Sequence, residues 1–333
     1  MIQFDWSETI KDWVYKSWLA NQGAGVRIAM LDTGVDLAHP ALNGLNRPGH
    51  KINAAVPGFD PNRLSDFNNG DVTDRHQQRG HGTQCISPLA AMPVAGSALN
   101  GFAPKAEIFI IKVNTTDHKF FLLKDFLKGL EAAAVLKVDL VIASISFPKG
   151  DLDAEGISPV EVDRVFKRLE ASGAVLFAAL PNTTLLKPWA GLAAAHFPSL
   201  RPGTVNVGAF SEAIFNRRRE EINTQPDIHF VVSDARGLFC KIQGEHSEEA
   251  ITSSYAVYLV GGIAALYIAS VKRREKEDYT PRPLPELLKA VGRTFRKLDG
   301  TGAWESVKLL FFKTSAVATR PDEEPDPDDE VLT

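Results

Sequence analysis

Short apolar runs alternate along this chain with longer runs of helical period, and this alternation restricts its fold more than any other feature. Five apolar runs predict strands that are buried on both faces: Val26–Leu31, Ile108–Val113, Leu140–Ile145, Ala174–Ala179 and Val205–Phe210. Helices are predicted at Phe121–Leu136, Pro159–Ser172, the long run after Ser254, and Pro285–Leu298. The alternation predicts an α/β fold: a doubly wound, mostly parallel sheet with helices on both faces, in three layers.

Three further segments complete the predicted organisation. An opening helix is expected from Asp5 or Ser7 to a stop before Gly23. The segment Asn43–Gly80 is rich in Gly, Pro, Asn and Asp, which indicates loops around one short strand. Ala250–Val271 carries no charge and is long enough to cross a bilayer, but its polar start and paired glycines favour a helix buried in the core.

Composition excludes several classes of protein. With 44% hydrophobic and 23% charged residues among 333, the chain is globular rather than disordered or collagen-like. We expect one domain over residues 1–317 and a disordered acidic tail over 318–333. A net charge of -4 argues against nucleic acid or a membrane as partner. Two cysteines, Cys85 and Cys240, cannot form a disulfide framework, and no signal peptide precedes them, so a cytoplasmic location is expected.

A first candidate for chemistry is Asp32, at the end of the first apolar run and before Thr33-Gly34. Ligands of open α/β sheets bind at the carboxyl ends of the strands, although a carboxylate there also caps turns. Asp-Thr-Gly also suggests an aspartic protease. That mechanism needs two carboxylates sharing a proton, and the second copy of the motif would have to come from a homodimer.

Two more candidates start apolar helical runs. His81 stands between two glycines, which leaves room for another chain to approach its imidazole, although a histidine also caps turns. Ser254 opens the long run, where unpaired N–H groups and the helix dipole favour an alkoxide or oxyanion, although a serine is also an ordinary N-cap. No histidine pair has the spacing of zinc ligands, so no metal site is predicted.

Taken in the order Asp32, His81, Ser254, with their flanking residues, the sequence resembles the subtilisin-like serine peptidases, and its His motif is similar to that of the proteinase K branch. Six segments match in the order of the family: Val26–Pro40, His81-Gly82-Thr83, Gly101–Pro104, Ser144–Ser146, Ala171–Asn182 and Ser254–Leu266. The resemblance therefore covers nearly the whole chain. It implies a serine endopeptidase that acts on protein or peptide substrates.

The resemblance also implies a role for each matched residue. Ser254 would attack the scissile carbonyl, His81 would act as base and acid, and Asp32 would orient the imidazole. Asn182 would form the oxyanion hole with the N–H of Ser254. The substrate would lie extended between Ser144–Ser146 and a second strand near Thr115–Phe120, joined to the sheet edge by main-chain hydrogen bonds. The implied substrate-binding residues are Ser144, Ile145, Ser146, Leu180 and Pro181.

The sequence departs from the family beside the nucleophile and in the first specificity pocket. The family's Gly-Thr-Ser is here Thr252-Ser253-Ser254, so Ser253 is an alternative nucleophile, while Ser254 keeps the family's spacing to the rest of the helix. Tyr258 stands where a proline usually follows. Ser146, Phe147 and Pro181 replace the glycines that form the wall of this pocket. Their side chains should narrow the pocket, which predicts that the substrate has a small residue before the cut.

No cofactor is expected. Ala41 stands where many members of the family place an aspartate ligand for calcium, so a structural calcium ion is doubtful. Cys85 is similar to the cysteine beside the histidine in the proteinase K branch, although it also reads as a small buried hydrophobe. The resemblance implies inhibition by a bulky mercurial that a Cys85→Ser variant escapes.

The segment before Asp32 is shorter than the inhibitory propeptide of secreted relatives, so we expect a peptidase that is restrained by narrow specificity or by a regulatory or inhibitory protein partner. The segments Asn62–Arg79 and Gly244–Ala250 are the candidate switches. A catalytically attenuated module that binds peptides is the alternative. An esterase of the α/β-hydrolase kind fits poorly, because the chain has no Gly-x-Ser-x-Gly motif.

Overall fold

The structure is a computed structural model, and it describes residues 4–5, 16–67, 70–75, 80–95, 99–115, 121–148, 150–180, 196–198, 201, 203–210, 230–233, 236–275, 308–310 and 313–314. The strands are β1 (Phe4–Asp5), β2 (Arg27–Asp32), β3 (Lys51–Asn53), β4 (Glu107–Lys112), β5 (Leu140–Ala143), β6 (Phe147–Pro148), β7 (Val175–Ala179), β8 (His196–Phe197), β9 (Thr204–Phe210), β10 (Phe230–Ser233), β11 (Arg236–Cys240), β12 (His246–Ala250), β13 (Lys308–Leu310) and β14 (Lys313–Thr314). The helices are α1 (His81–Ala90), α2 (Leu123–Leu136), α3 (Gly150–Ala154), α4 (Pro159–Ala171) and α5 (Ser253–Glu275). Residues 16–21 are also helical.

A parallel sheet of eight strands carries the described part of the chain, in the spatial order β13-β10-β9-β7-β5-β2-β4-β3. Each of its long central strands is almost wholly buried, as expected for a sheet covered on both faces. The antiparallel pairs lie outside this sheet: β1 with β14, β6 with β8, and β11 with β12.

Alternation along β2 shows how the layers form. Ile28 and Met30 face a core that includes α1 and α5, whereas Ala29 and Leu31 face a second core that includes α2 and α4. Successive side chains of a strand point to opposite faces, so one apolar strand contributes to both cores. The predicted three-layer α/β fold is confirmed.

The long apolar helix α5 belongs to the first of these cores. The segment Ser253–Arg273 is long and apolar enough to cross a membrane, yet 89% of its most apolar window is buried inside the protein. A Cβ atom on Gly261 would collide with the side chain of Ile142 on β5, so the glycine lets the helix approach the sheet closely. The predicted buried helix is confirmed.

Predicted and observed elements agree best in the centre of the sheet. The five predicted strands correspond to β2, β4, β5, β7 and β9, with bounds that differ by one or two residues, and β3 is the short strand expected within the loop segment. A helix starting at Asp5 is wrong, because Asp5 lies in β1 and pairs with Lys313. A start at Ser7 lies outside the described residues, as do the predicted helix 285–298 and the acidic tail 318–333.

Candidate active site

Asp32 and Ser144 meet at the carboxyl edge of the sheet. Leu31 of β2 pairs with Ala143 of β5, so Asp32 and Ser144, which follow them in the chain, lie side by side. Asp32 is fully buried. Its Oδ2 accepts a hydrogen bond from the Ser144 hydroxyl, and its Oδ1 accepts one of 2.8 Å from the N–H of Thr33. The first candidate from sequence is therefore a buried carboxylate held by hydrogen-bond donors.

His81 reaches this carboxylate because it is the first residue of α1. Its Nδ1 lies 2.7 Å from Oδ1 of Asp32. The N-cap residue Gly80 has φ 73°, a left-handed conformation that favours glycine. A Cβ atom on Gly82 would collide with the carbonyl oxygen of Gly34, so a side chain there would push α1 away from the end of β2. The two glycines therefore serve the approach of the helix that carries the imidazole.

The start of α1 is anchored by residues that sequence reasoning missed. Gly80 offers no side chain to cap the helix, and the hydroxyl of Thr33 instead accepts the N–H of Gly82 at 2.8 Å. Oδ2 of the buried Asp74 accepts both the N–H and the hydroxyl of Thr83, each at 2.8 Å, and its Oδ1 accepts the Thr33 hydroxyl at 2.9 Å. These bonds satisfy first-turn N–H groups and tie α1 to β2.

The two serines at the start of α5 have different partners. The oxygen of Ser253 accepts the N–H of Ala209 on β9 at 3.2 Å. The hydroxyl of Ser254 lies 3.4 Å from the carbonyl oxygen of Ser144, the residue that also contacts Asp32. The structure therefore brings Ser254 to the edge where Asp32 lies, and directs Ser253 to the sheet.

Tyr258 also contacts the candidate site. It lies four residues after Ser254 on α5, and its hydroxyl donates to Oδ2 of Asp32 at 3.1 Å. The sequence singled out this position only as a departure from the family. Its partner could not be named, because the two residues are 226 positions apart in the chain.

The surroundings of Asp32 and His81 shift the pKa values of both side chains. Burial alone would raise the pKa of Asp32, but the ion pair and hydrogen bond with His81 and the donors Ser144 and Thr33 lower it. Desolvation lowers the pKa of His81, whereas the charge of Asp32 and the hydrogen bonds with Asp32 and Cys85 raise it, and the net pKa lies well above the usual value of 6.5. Asp32 therefore remains a carboxylate where His81 titrates.

Cys85 lies one turn after His81 on α1, and its Sγ is 3.7 Å from both ring nitrogens. Burial raises the pKa of its thiol to about 12. Donor atoms of Asp32, His81 and Cys85 lie within 4.8 Å of one another. The carboxylate oxygens accept hydrogen bonds from Thr33, Ser144 and Tyr258, and the imidazole contacts both the carboxylate and the sulfur, so the three residues belong to one hydrogen-bond network.

The predicted substrate-binding residues lie partly in the described region. Ser144, Ile145 and Ser146 follow β5, and the Ile145 side chain is buried, which leaves its main chain for contacts. The N–H of Leu180 donates to the carbonyl of Val207 at 2.8 Å, so this N–H is not available to a substrate. Pro181 and Asn182 lie outside the described residues, as does most of the predicted strand near Thr115–Phe120.

One expectation about the specificity pocket is wrong. Phe147 does not fill the pocket wall: its side chain is 2% exposed and packs in the core, with its ring centroid 5.3 Å from that of Phe126. An aromatic ring gains more from burial than from a water-facing wall. Ser146, in contrast, is partly exposed. Of these two residues, it is therefore the one whose side chain adds volume at the surface.

Comparison with known proteins assigns the chain to a family. The model of the subtilase family matches residues 23–287. The chain belongs to the subtilase family. Like its family, this subtilase is a serine-type endopeptidase. The comparisons leave its proposed likeness to the proteinase K branch a prediction.

Several relatives of this subtilase are similar over most of their length. An intracellular serine protease from Paenibacillus polymyxa is 24% identical over 300 residues, which cover 86% of this chain and 80% of that protein. Thermitase from Thermoactinomyces vulgaris is 23% identical, covering 90% and 91%. The structure of the prenylagaramide maturation protease PagA aligns with a TM-score of 0.62 at 17% identity, covering 91% and 96%, and supports the fold.

Proposed function

We propose that this subtilase is an intracellular endopeptidase that hydrolyses peptide bonds with Asp32, His81 and Ser254 as its triad. The observation that carries the proposal is the 2.7 Å contact between Oδ1 of Asp32 and Nδ1 of His81. An ionised carboxylate only accepts hydrogen bonds, so it keeps the proton of the neutral ring on Nδ1. Nε2 is then the nitrogen that can take a proton from a serine.

In the proposed reaction the Ser254 oxygen attacks the scissile carbonyl carbon while its proton passes to Nε2 of His81. The hydroxyl first turns away from the carbonyl of Ser144, a rotation about one side-chain bond. The C–N bond then breaks as His81 gives the proton to the leaving amine. Water repeats the sequence on the acyl-enzyme, and Asp32 stabilises the imidazolium in both halves.

The oxyanion of the tetrahedral intermediate needs hydrogen-bond donors. We assign this role to the N–H of Ser254 and the side-chain amide of Asn182. Ser254 lies in the first turn of α5, where N–H groups have no acceptor within the helix and the helix dipole favours negative charge. The role of Asn182 rests on the resemblance of its segment to the family.

The proposed substrate is a protein or peptide bound in extended form along Ser144–Ser146 through main-chain hydrogen bonds. Ser146 stands where the family has glycine, so we propose a small residue before the cut. Ser146→Gly should then widen the accepted size in a peptide library, whereas Phe147→Leu, a change in the core, should alter stability instead. A wild-type profile dominated by large aromatic residues would contradict this specificity.

A cytoplasmic location and regulation by an inhibitory protein or by narrow specificity are part of the proposal. The first is supported by relatives that are named intracellular serine proteases. We also propose that catalysis needs no cofactor. Ala41 is buried in the core and offers no side-chain ligand to calcium, so dialysis against a chelator should leave the activity unchanged. Free digestion of casein by the purified protein would remove the regulatory part of the proposal.

The second candidate function is a module that binds peptides without cleaving them, favoured by the altered residues beside the nucleophile. Labelling with a fluorophosphonate separates the two, because it needs an activated serine and no knowledge of the substrate. We expect labelling of the wild type and of Ser253→Ala, and none of Ser254→Ala. Equal labelling of both serine variants would move the nucleophile elsewhere. An unlabelled wild type that still binds peptides would favour the binding module.

A further inference from the structure

Tyr258 has no part in the proposed reaction, yet it touches the triad. It lies four residues after Ser254, so the two residues share one face of α5, with Tyr258 one turn further along the helix. Its side chain is fully buried, and its hydroxyl lies 3.1 Å from Oδ2 of Asp32. One helix therefore carries both the proposed nucleophile and a donor to the proposed triad carboxylate.

The contact completes the set of donors around Asp32. Oδ1 accepts from Thr33 and from Nδ1 of His81, and Oδ2 accepts from Ser144 and Tyr258. A carboxylate has about four lone-pair sites, so this set uses them all. The two donors on Oδ2 fix the rotation of the carboxylate plane, and that rotation decides where Oδ1 meets the imidazole.

The bond joins a neutral donor to an ionised acceptor. Burial raises the pKa of Tyr258 well above its usual value, and the nearby Asp32 raises it further, so the phenol keeps its proton at any working pH. The pKa of Asp32 is lowered, so the carboxylate keeps its charge. Hydrogen bonds of this kind are stronger than those between neutral groups.

We propose that Tyr258 is a positioning residue of the peptidase reaction. Through Asp32 it holds the His81 imidazole in register with Ser254, and it fixes the distance between α5 and the end of β2. The inference rests on the proposed function, since it presumes that these three residues act together. An ordinary core tyrosine that merely finds an acceptor is the competing explanation.

The two explanations differ in how the reaction depends on pH. Loss of the phenol donor leaves more of the Asp32 charge to stabilise the imidazolium, so the acidic limb of the rate profile moves to higher pH. The titratable groups that meet here are Asp32 from β2, His81 and Cys85 from α1, and Tyr258 from α5. The thiol of Cys85, with a pKa of about 12, stays neutral across that limb.

The test uses Tyr258→Phe, which keeps the ring in the core and removes the hydroxyl. We expect its saturating rate of fluorophosphonate labelling to fall about tenfold, with the half-saturating concentration changed less than about twofold, as for loss of one charge-assisted bond. The acidic limb should rise by roughly half a pH unit. Tyr267→Phe, on the same helix and only partly buried, should behave as the wild type.

A second variant keeps the test decisive if Tyr258→Phe does not fold. Incorporation of 3-fluorotyrosine at position 258 retains the shape and strengthens the donor, so the acidic limb should move to lower pH. Wild-type rates and an unmoved limb in the folded variants would overturn the positioning role and leave the endopeptidase assignment intact. Labelling that survives in Ser254→Ala would instead overturn the proposed triad, and the role of Tyr258 with it.

Discussion

The pKa of a single residue, His81, ties the proposed reaction to pH. Only the neutral imidazole can take the serine proton, and the Asp32 carboxylate holds the pKa of His81 above the usual 6.5. Activity should therefore rise with pH through that raised value, with its acidic limb above pH 6.5. Measuring the labelling rate against pH checks this prediction.

Asp32→Asn provides the matched control for the pH prediction. It removes the charge that raises the pKa of His81 and the acceptor that fixes its tautomer, so the limb should move down and the rate should fall about 10⁴-fold. A wild-type limb at or below the ordinary imidazole value would contradict the influence of Asp32.

Cys85 gives a prediction about inhibition at the same scale. A mercury atom on its sulfur, 3.7 Å from both nitrogens of His81, would displace the imidazole. The thiol is buried and its pKa is about 12, so inactivation by p-chloromercuribenzoate should be slow and should accelerate with pH. The half-time of inactivation measures it. Cys85→Ser should resist, and Cys240→Ser, which changes the other buried cysteine, should not; equal sensitivity of the two variants refutes the assignment.

Among the structural elements, α1 depends on a carboxylate in the loop that precedes it. Asp74 accepts three hydrogen bonds, and an amide in its place would turn an NH₂ group towards at least one of those donors. Asp74→Asn should therefore lower the free energy of unfolding by about 1–3 kcal/mol. Labelling should also slow at least about tenfold, because α1 carries His81.

Denaturant unfolding and labelling rates, compared with those of Asp163→Asn, check the prediction for Asp74. Asp163 is paired on the surface, its side chain 53% exposed, and its variant should stay within about 0.5 kcal/mol of the wild type. If Asp74→Asn unfolds and reacts as the surface variant does, α1 does not depend on this anchor.

The sequence predicts some structural elements well and others not at all. The central strands were predictable, because burial on both faces makes their whole length apolar. Short strands such as β10 and β13 were not, because their place depends on pairing with each other across the fold. Asp32, His81 and Ser254 stand in local motifs, whereas the role of Asp74 comes from donors on two other segments. Local patterns carry no information about such partners.

For the whole molecule, segments near both ends of the chain complete the fold. β13 pairs with β10 as the last strand of the sheet, and β14 pairs with β1. β13 and β14 lie C-terminal to residues 23–287, the part of the chain that matches the subtilase family. β13 therefore covers the N–H and C=O groups at this edge of β10, which would otherwise invite pairing with another chain.

Two truncations test this part of the fold. Deletion of residues 318–333, the predicted tail beyond the domain, should leave the melting temperature unchanged. Deletion of residues 301–333 removes β13 and β14 with several main-chain hydrogen bonds, each worth about 1 kcal/mol. The melting temperature should then fall by about 5 °C or more, and the protein should associate through the uncovered edge of β10. Calorimetry and light scattering measure the two effects. Equal melting temperatures for the two truncations would mean that the sheet is complete without β13, and that the domain ends before residue 301.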